Sequence, residues 1–188
     1  MSTLSKPVSD GDHVAGPADA RVTLVEYGDF ECPHCGALHP VVQAAQKAFG
    51  GNLRFIFRHF PLRSSHPHAL AAAKAAEAAG EQGKFWEMHD RLYRRQTELD
   101  DADLERHARD LGLDVERFRR SLGSREHEQR IREDLASAAE SGARGTPTLF
   151  INGERYQGEL DRDEIFAALA RAAVTTVPRA GAGHGVIQ

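Results

Sequence analysis

The spacing of apolar positions changes period several times along the chain, and each change predicts an element. Val22-Thr23-Leu24-Val25-Glu26-Tyr27 is rich in β-branched and aromatic residues and reads as a central strand, with Glu26 an acid where a buried strand disfavours one. Leu38, Val41, Val42, Ala45 and Phe49 then recur at helical spacing, and the pattern continues past Pro40, which predicts a kink rather than an end. Gly50-Gly51-Asn52 stops that helix, and Leu53, Phe55 and Phe57 alternate with Arg54, Ile56 and Arg58 in a second strand. Strand, helix and strand over this length make a right-handed parallel βαβ unit. Ahead of it, His13 to Pro17 reads as a short edge strand closed by a turn, and residues 1–12 as a mobile lead-in.

From Ser65 to Ser141 every segment has helical character. Ala69 to Ala79 is a strong helix former; Phe85, Met88, His89 and Leu92 mark a second face, and Leu104, Ala108 and Leu111 a third that ends at Gly112. Val115, Phe118 and Leu122 predict a short helix, and Ile131, Leu135 and Ala138 a last one ending at Gly142. No linker rich in Pro, Gly or Ser sets these helices apart, so an inserted helical subdomain packed on the sheet is expected. Thr148 to Ile151 and Glu154 to Tyr156 then form a strand pair around Asn152-Gly153, a pair that accepts the positive φ angles of a type I′ turn. Asp161 caps a final helix carrying Ile165, Leu169 and Ala172, and the Gly- and Ala-rich end of the chain reads as a second tail.

Composition narrows the function more than the fold. Lys and Arg total 24 against 28 Asp and Glu, so a net charge of −4 gives no electrostatic reason for a nucleic-acid partner. No apolar run in residues 1–20 could form a signal-peptide core and none elsewhere approaches a membrane span, which leads to the expectation of a cytoplasmic protein with no membrane contact. The two cysteines, too few for a disulfide framework, agree with a reducing compartment.

Those cysteines form Cys32-Pro33-His34-Cys35 at the junction of strand and helix. Residues three apart share a helix face, so the thiols are neighbours able to close a disulfide. Pro33 suits the first helical turn, and the free N–H groups and dipole of that turn favour a thiolate on Cys32. Cys32 is thus the attacking sulfur, Cys35 the resolving one, and His34 adds to the bias if its ring is charged or donates toward the sulfur. Asp29 and Glu31 are expected to oppose that thiolate unless they point into water.

The chain resembles thioredoxin-fold oxidoreductases of the DsbA type, and the resemblance runs from about Asp12 to Arg171. It is carried by Val-Thr-Leu-Val-Glu-Tyr leading through Asp29-Phe30-Glu31 into Cys-Pro-His-Cys, by Gly83-Lys84-Phe85-Trp86-Glu87-Met88-His89, and by Gly145-Thr146-Pro147-Thr148 before a strand and Asn152-Gly153. The resemblance implies that Glu26 is a buried acid moving the proton of the resolving cysteine. It implies that Pro40 is the kink of the active-site helix and that Pro147 follows a cis bond beside the disulfide. It also leaves the backbone of Thr146 to pair with an extended substrate. The best-known members are exported, and this chain shows no export signal, so the direction of electron flow stays open.

The expectation is an α/β thioredoxin-like fold whose two halves, residues 13–62 and 144–174, flank a helical insertion, 63–143, with tails at 1–12 and 175–188. Its function is thiol:disulfide exchange through Cys32 and Cys35, with Pro33, His34 and Glu26 in the catalytic set and Thr146 and Pro147 binding substrate. Partners are protein or peptide thiols and disulfides and a small-thiol or thioredoxin-type redox partner; no cofactor and no metal is expected. The alternative is a non-enzymatic binding or holdase module whose thiols act as a redox switch or as half of a zinc site. Such a site needs two more ligands, for which His39, His66 and His68 are the candidates. His89, Phe85 and Trp86 are read as packing residues, and the charged run from Arg117 to Glu133 as a solvated helix face.

Overall fold

The structure, a computed structural model, describes residues 2–175; the expected tail at 175–188 lies outside the described residues from position 176 onward. Strand β2 (Val22–Gly28) is central: β3 (Leu53–His59) runs parallel on one side and β4 (Thr148–Ile151) antiparallel on the other. β1 (His13–Ala15) flanks β3 and β5 (Glu154–Arg155) flanks β4, so the sheet order is β1-β3-β2-β4-β5. The turn between β4 and β5 has positive φ at both Asn152 and Gly153, as the Asn-Gly pair predicts.

Helix α1 (Pro33–Phe49) passes unbroken through Pro40 and joins β2 to β3. The insertion contributes α2 (Ala69–Gly80), α3 (Phe85–Arg94), α4 (Asp101–Asp110), α5 (Val115–Leu122) and α6 (Arg125–Glu140), and α7 (Arg162–Thr175) closes the fold. Local chemistry sets their starts: Asp100, Asp114, Ser124 and Asp161 each accept a backbone N–H of the first turn that follows. The alanines of α2 that are buried (Ala72, Ala75, Ala76 and Ala79 among them) join the same apolar core as Phe57 and Phe85.

Alternation along β2 divides the core. Val22 and Leu24 join Leu38, Val42, Phe55, Phe57 and Leu169 on one face, whereas Val25 and Tyr27 meet Ile56, Phe150 and Ala138 of α6 on the other. By the same parity Glu26 lies on the face that carries α1.

The lead-in is a correction to the expectation of a mobile tail. Leu4 and Val8 pack on the second core, Ser5 hydrogen-bonds Ser141 and Ser137, and Thr3 bridges to Glu154. Its strongest tie is Arg58, fully buried in β3, which donates through Nε to Asp12 Oδ1 at 2.8 Å and through its two Nη atoms to the carbonyls of Lys6 and Pro7. A guanidinium in that position is tolerable only with its donors satisfied. Burial pushes the Asp12 carboxyl upward, but the hydrogen bond and charge of Arg58 outweigh it and hold the pKa below the usual range.

Removing the carboxylate with Asp12→Ala is therefore expected to cost about 3–5 kcal/mol in chemical denaturation, because a buried cation is left unpaired. The wild-type contribution is full above the ordinary Asp range and is lost as pH falls through the depressed folded value, so the variant and wild type converge in acid.

Candidate active site

Chain direction builds the site at the C-terminal end of β2. After Gly28 the loop Asp29-Phe30-Glu31 turns back on itself, with Cys32 N–H donating to Asp29 O at 3.1 Å, and α1 begins at Pro33 with Cys32 in the N-cap position. Asp29 secures this loop: Oδ1 accepts the N–H of Glu31 at 2.8 Å, and Oδ2 accepts Leu62 N–H and pairs with His66 Nδ1, both at 2.8 Å. Glu31 accepts from the backbone N–H of His68 at 2.6 Å and pairs with its ring at 3.0 Å. The expected opposition of these two acids to the Cys32 thiolate is thus blunted by local partners rather than by water.

Both cysteines are reduced and buried, Cys32 at 3 % exposure and Cys35 at 0 %. Their environments differ sharply. The Cys35 thiol donates toward Cys32, the N–H groups of His34 and Cys35 and the Thr146 side chain also favour the anion, and together they overcome burial and bring the Cys32 pKa down to about 5. The Thr146 carbonyl, 3.4 Å from Cys32 Sγ, is the acceptor for the protonated thiol. Burial, the bond to Cys32 and the charge of Glu26 push Cys35 far above the usual thiol range. One sulfur is thereby biased toward the thiolate and the other toward the thiol.

Glu26 is 2 % exposed, and its Oε1 has no hydrogen-bond partner. Burial, followed by the Cys32 charge, raises its pKa to about 8. Tyr93 Oη stands nearby: a Cβ built on Gly28 would lie 2.6 Å from it and 2.9 Å from Glu26 Oε1. Only glycine leaves both groups that space.

The Thr146–Pro147 bond is cis, in agreement with the resemblance. Pro33 occupies the first turn of α1, and His34 is exposed, with its backbone N–H among the groups that favour the Cys32 anion. None of His39, His66 and His68 joins the cysteines: His39 packs on His89 and Tyr93, and the other two bind Asp29 and Glu31.

One residue escaped the sequence reading. Gln96, just beyond α3, donates from Nε2 to the carbonyls of Phe30 and Cys32, each at 2.8 Å, and so ties the redox loop to the insertion. The available signal was Gly36, an unfavourable residue in an early helical turn, whose Cβ would stand 2.0 Å from Gln96 Oε1.

A family profile named Thioredoxin_4 and described as "Thioredoxin" matches residues 8–171. The chain belongs to this DsbA-like thioredoxin family. It is similar, at 29 % identity and a TM-score of 0.79, to a thioredoxin-like oxidoreductase from Silicibacter pomeroyi DSS-3, covering 87 % of this chain and 93 % of that one. BdbD from Bacillus subtilis in its oxidised form shares the fold at 23 % identity, with a TM-score of 0.78 over 92 % and 98 % of the two chains. A curated relative, Na(+)/H(+) antiporter NhaA 1 of Salinispora arenicola, is 50 % identical over 170 residues, which are 90 % of this chain and 26 % of that protein. The chain thus spans about a quarter of the length of such relatives, and it is a DsbA-like thiol:disulfide oxidoreductase domain carrying the Cys32–Cys35 pair.

These matches overturn the expectation of a cytoplasmic protein without membrane contact. The relatives are membrane antiporters, among them the half-identical one of Salinispora arenicola. Among the described residues no helix is long and apolar enough to cross a membrane.

Two titrations follow from this geometry. In the reduced protein, thiolate absorbance near 240 nm is expected to disappear on acidification with a midpoint near pH 5, and Cys35→Ala is expected to raise that midpoint by removing the thiol donor. For Glu26 the sign is reversed, because burial raises the folded pKa to about 8 from an ordinary value of 4.5. The wild type accordingly loses stability as pH rises through that window, at up to about 1.4 kcal/mol per pH unit. Glu26→Gln is expected to be the more stable protein at pH 8, with the advantage shrinking toward pH 4.5; equal pH dependence in the two proteins would show that Glu26 is not held neutral.

Proposed function

We propose that this domain donates disulfides to thiol-bearing polypeptides outside the cytoplasm, beside a membrane. The observation that carries this reading is the divergence of the two sulfurs. A thiolate stabilised on Cys32 lowers the free energy of the reduced pair and makes its disulfide the stronger oxidant. The membrane-proximal setting is supported by the antiporter relative, half identical over nearly the whole of this chain.

In the forward step a substrate thiolate attacks Cys32 Sγ of the Cys32–Cys35 disulfide. The new bond joins substrate to Cys32, the S–S bond breaks, and Cys35 leaves as a thiolate that takes the proton of neutral Glu26. A second substrate thiolate then attacks the mixed disulfide, and Cys32 departs as the stabilised anion. The product is an oxidised substrate and a reduced domain, which a partner whose disulfide is more oxidising than the Cys32–Cys35 pair returns to the disulfide by the same exchange. Thr146, whose carbonyl stands beside Cys32, offers its backbone to an extended substrate segment, and Pro147 holds that loop against the sulfur. Pro33 and His34 supply the helical turn whose N–H groups face the anion.

Oxidation of a reduced two-cysteine peptide, followed by fluorescence or mass, tests the assignment. With glutathione disulfide as the terminal oxidant, Cys32→Ser is expected to abolish turnover, and Cys35→Ser, mixed instead with the peptide in its disulfide form, to accumulate a mixed disulfide through Cys32. Undiminished turnover in the Cys32 variant, or peptide binding without turnover in the wild type, would contradict the mechanism, the latter favouring a binding module.

A further inference from the structure

Two clusters of imidazole and carboxylate groups lie away from the thiols, and their contacts separate them. At the first, His13 Nε2 and His59 Nε2 share Glu77 Oε1 at 2.6 and 2.8 Å, and Arg130 Nε stands 3.0 Å from the same oxygen. One oxygen shared by three nitrogens is a hydrogen-bond hub, and the guanidinium beside it repels a cation.

The second joins His39 of α1 to His89 and Asp90 of α3. Asp90 Oδ1 lies 3.1 Å from His89 Nδ1 and 3.6 Å from His39 Nε2. Donors each 2.0–2.1 Å from a tetrahedral zinc ion stand roughly 3.3–3.4 Å from one another, so these spacings need little adjustment. His39 Nε2 is buried without a hydrogen-bond partner in a side chain 6 % exposed, a cost that a ligand would remove.

The surroundings also suit a metal. Asp90 Oδ2 accepts from Gln43 Nε2 at 2.9 Å and has Arg94 Nη2 at 3.6 Å, which leaves Oδ1 turned to the imidazoles. Ligating carboxylates are held in this way by an outer layer of hydrogen bonds. Burial keeps both imidazoles neutral, with His39 lowered to about 4 and His89 also lowered. The charge of Arg94 opposes a cation, but its side chain is 61 % exposed and screened by water. Asp90, one-third exposed, provides the way in.

We propose that His39, His89 and Asp90 form a binding site for a divalent transition-metal ion of the zinc class, which two imidazoles and one carboxylate suit. A water molecule completes the coordination, and loading displaces the proton that His89 Nδ1 shares with Asp90. The ion ties α1, one turn beyond Cys35, to α3. This departs from the expectation of no metal, and it does not rest on the proposed thiol chemistry.

The test uses the tag-free full chain with Cys32→Ser and Cys35→Ser, so that no thiol binds metal, titrated with Zn²⁺ by calorimetry and with Co²⁺ by visible absorption. One saturable site is expected, with a rise in Tm on zinc loading and at least a tenfold loss of affinity in His39→Asn and in Asp90→Asn. Circular dichroism checks that each variant folds; Asp90, at the surface, keeps the test decisive if the His39 variant does not. His13→Asn, at the other cluster, is expected to bind as tightly as its parent. Absence of saturable binding up to millimolar metal, unchanged affinity in folded Asp90→Asn, or loss of the site in His13→Asn would overturn the proposal.

Discussion

The structure depends on keeping two identical side chains, one helical turn apart, in different protonation states. The Cys35 thiol, donating toward Cys32, contributes most to this, and the helix N-terminus adds to it. Cys32 occupies the position where a capping side chain meets unpaired N–H groups, and Cys35 sits within the helix, sealed from water and donating its proton toward its neighbour. The asymmetry follows from chain position: exchanging the residue types would change nothing, because both are cysteine.

The fold serves that asymmetry from three directions. β2, central in the sheet and flanked on both sides, delivers the loop to the N-terminus of α1 and carries Glu26 on the face beneath it. β4 brings Thr146 and Pro147 to the Cys32 sulfur from the far end of the chain. The insertion reaches back through Gln96 to the carbonyls of Phe30 and Cys32 and through Tyr93 to the neighbourhood of Glu26. Glu26 costs stability when ionised, yet a neutral acid beside a thiol with a raised pKa can move the proton that disulfide exchange requires.

Much of this was legible from residue order. Period-two and helical spacings located the strands, the insertion and the Asn-Gly turn, and Cys-Pro-His-Cys located the chemistry, because each depends on neighbours in sequence. What stayed hidden depends on partners far along the chain. Asp29 and Glu31 look like acids crowding a thiolate until Leu62, His66 and His68 fold over to meet them, and residues 2–12 look like a loose tail until Arg58 is seen buried against Asp12. Gln96 had no periodic pattern to announce it, and only the missing side chain at Gly36 hinted at its approach. Location was misjudged for another reason: a domain matching a quarter of a membrane protein need not itself carry an apolar segment.

The central claim is that stabilising the Cys32 thiolate makes the disulfide of this pair oxidising, and the reduction potential tests it most directly. Equilibrating the domain at pH 7 against graded glutathione mixtures, then trapping free thiols with an alkylating agent, gives the midpoint. A potential of roughly −180 mV or higher is predicted, in the range of disulfide-donating proteins. A value near about −270 mV, the range of a reducing thioredoxin, would contradict the account.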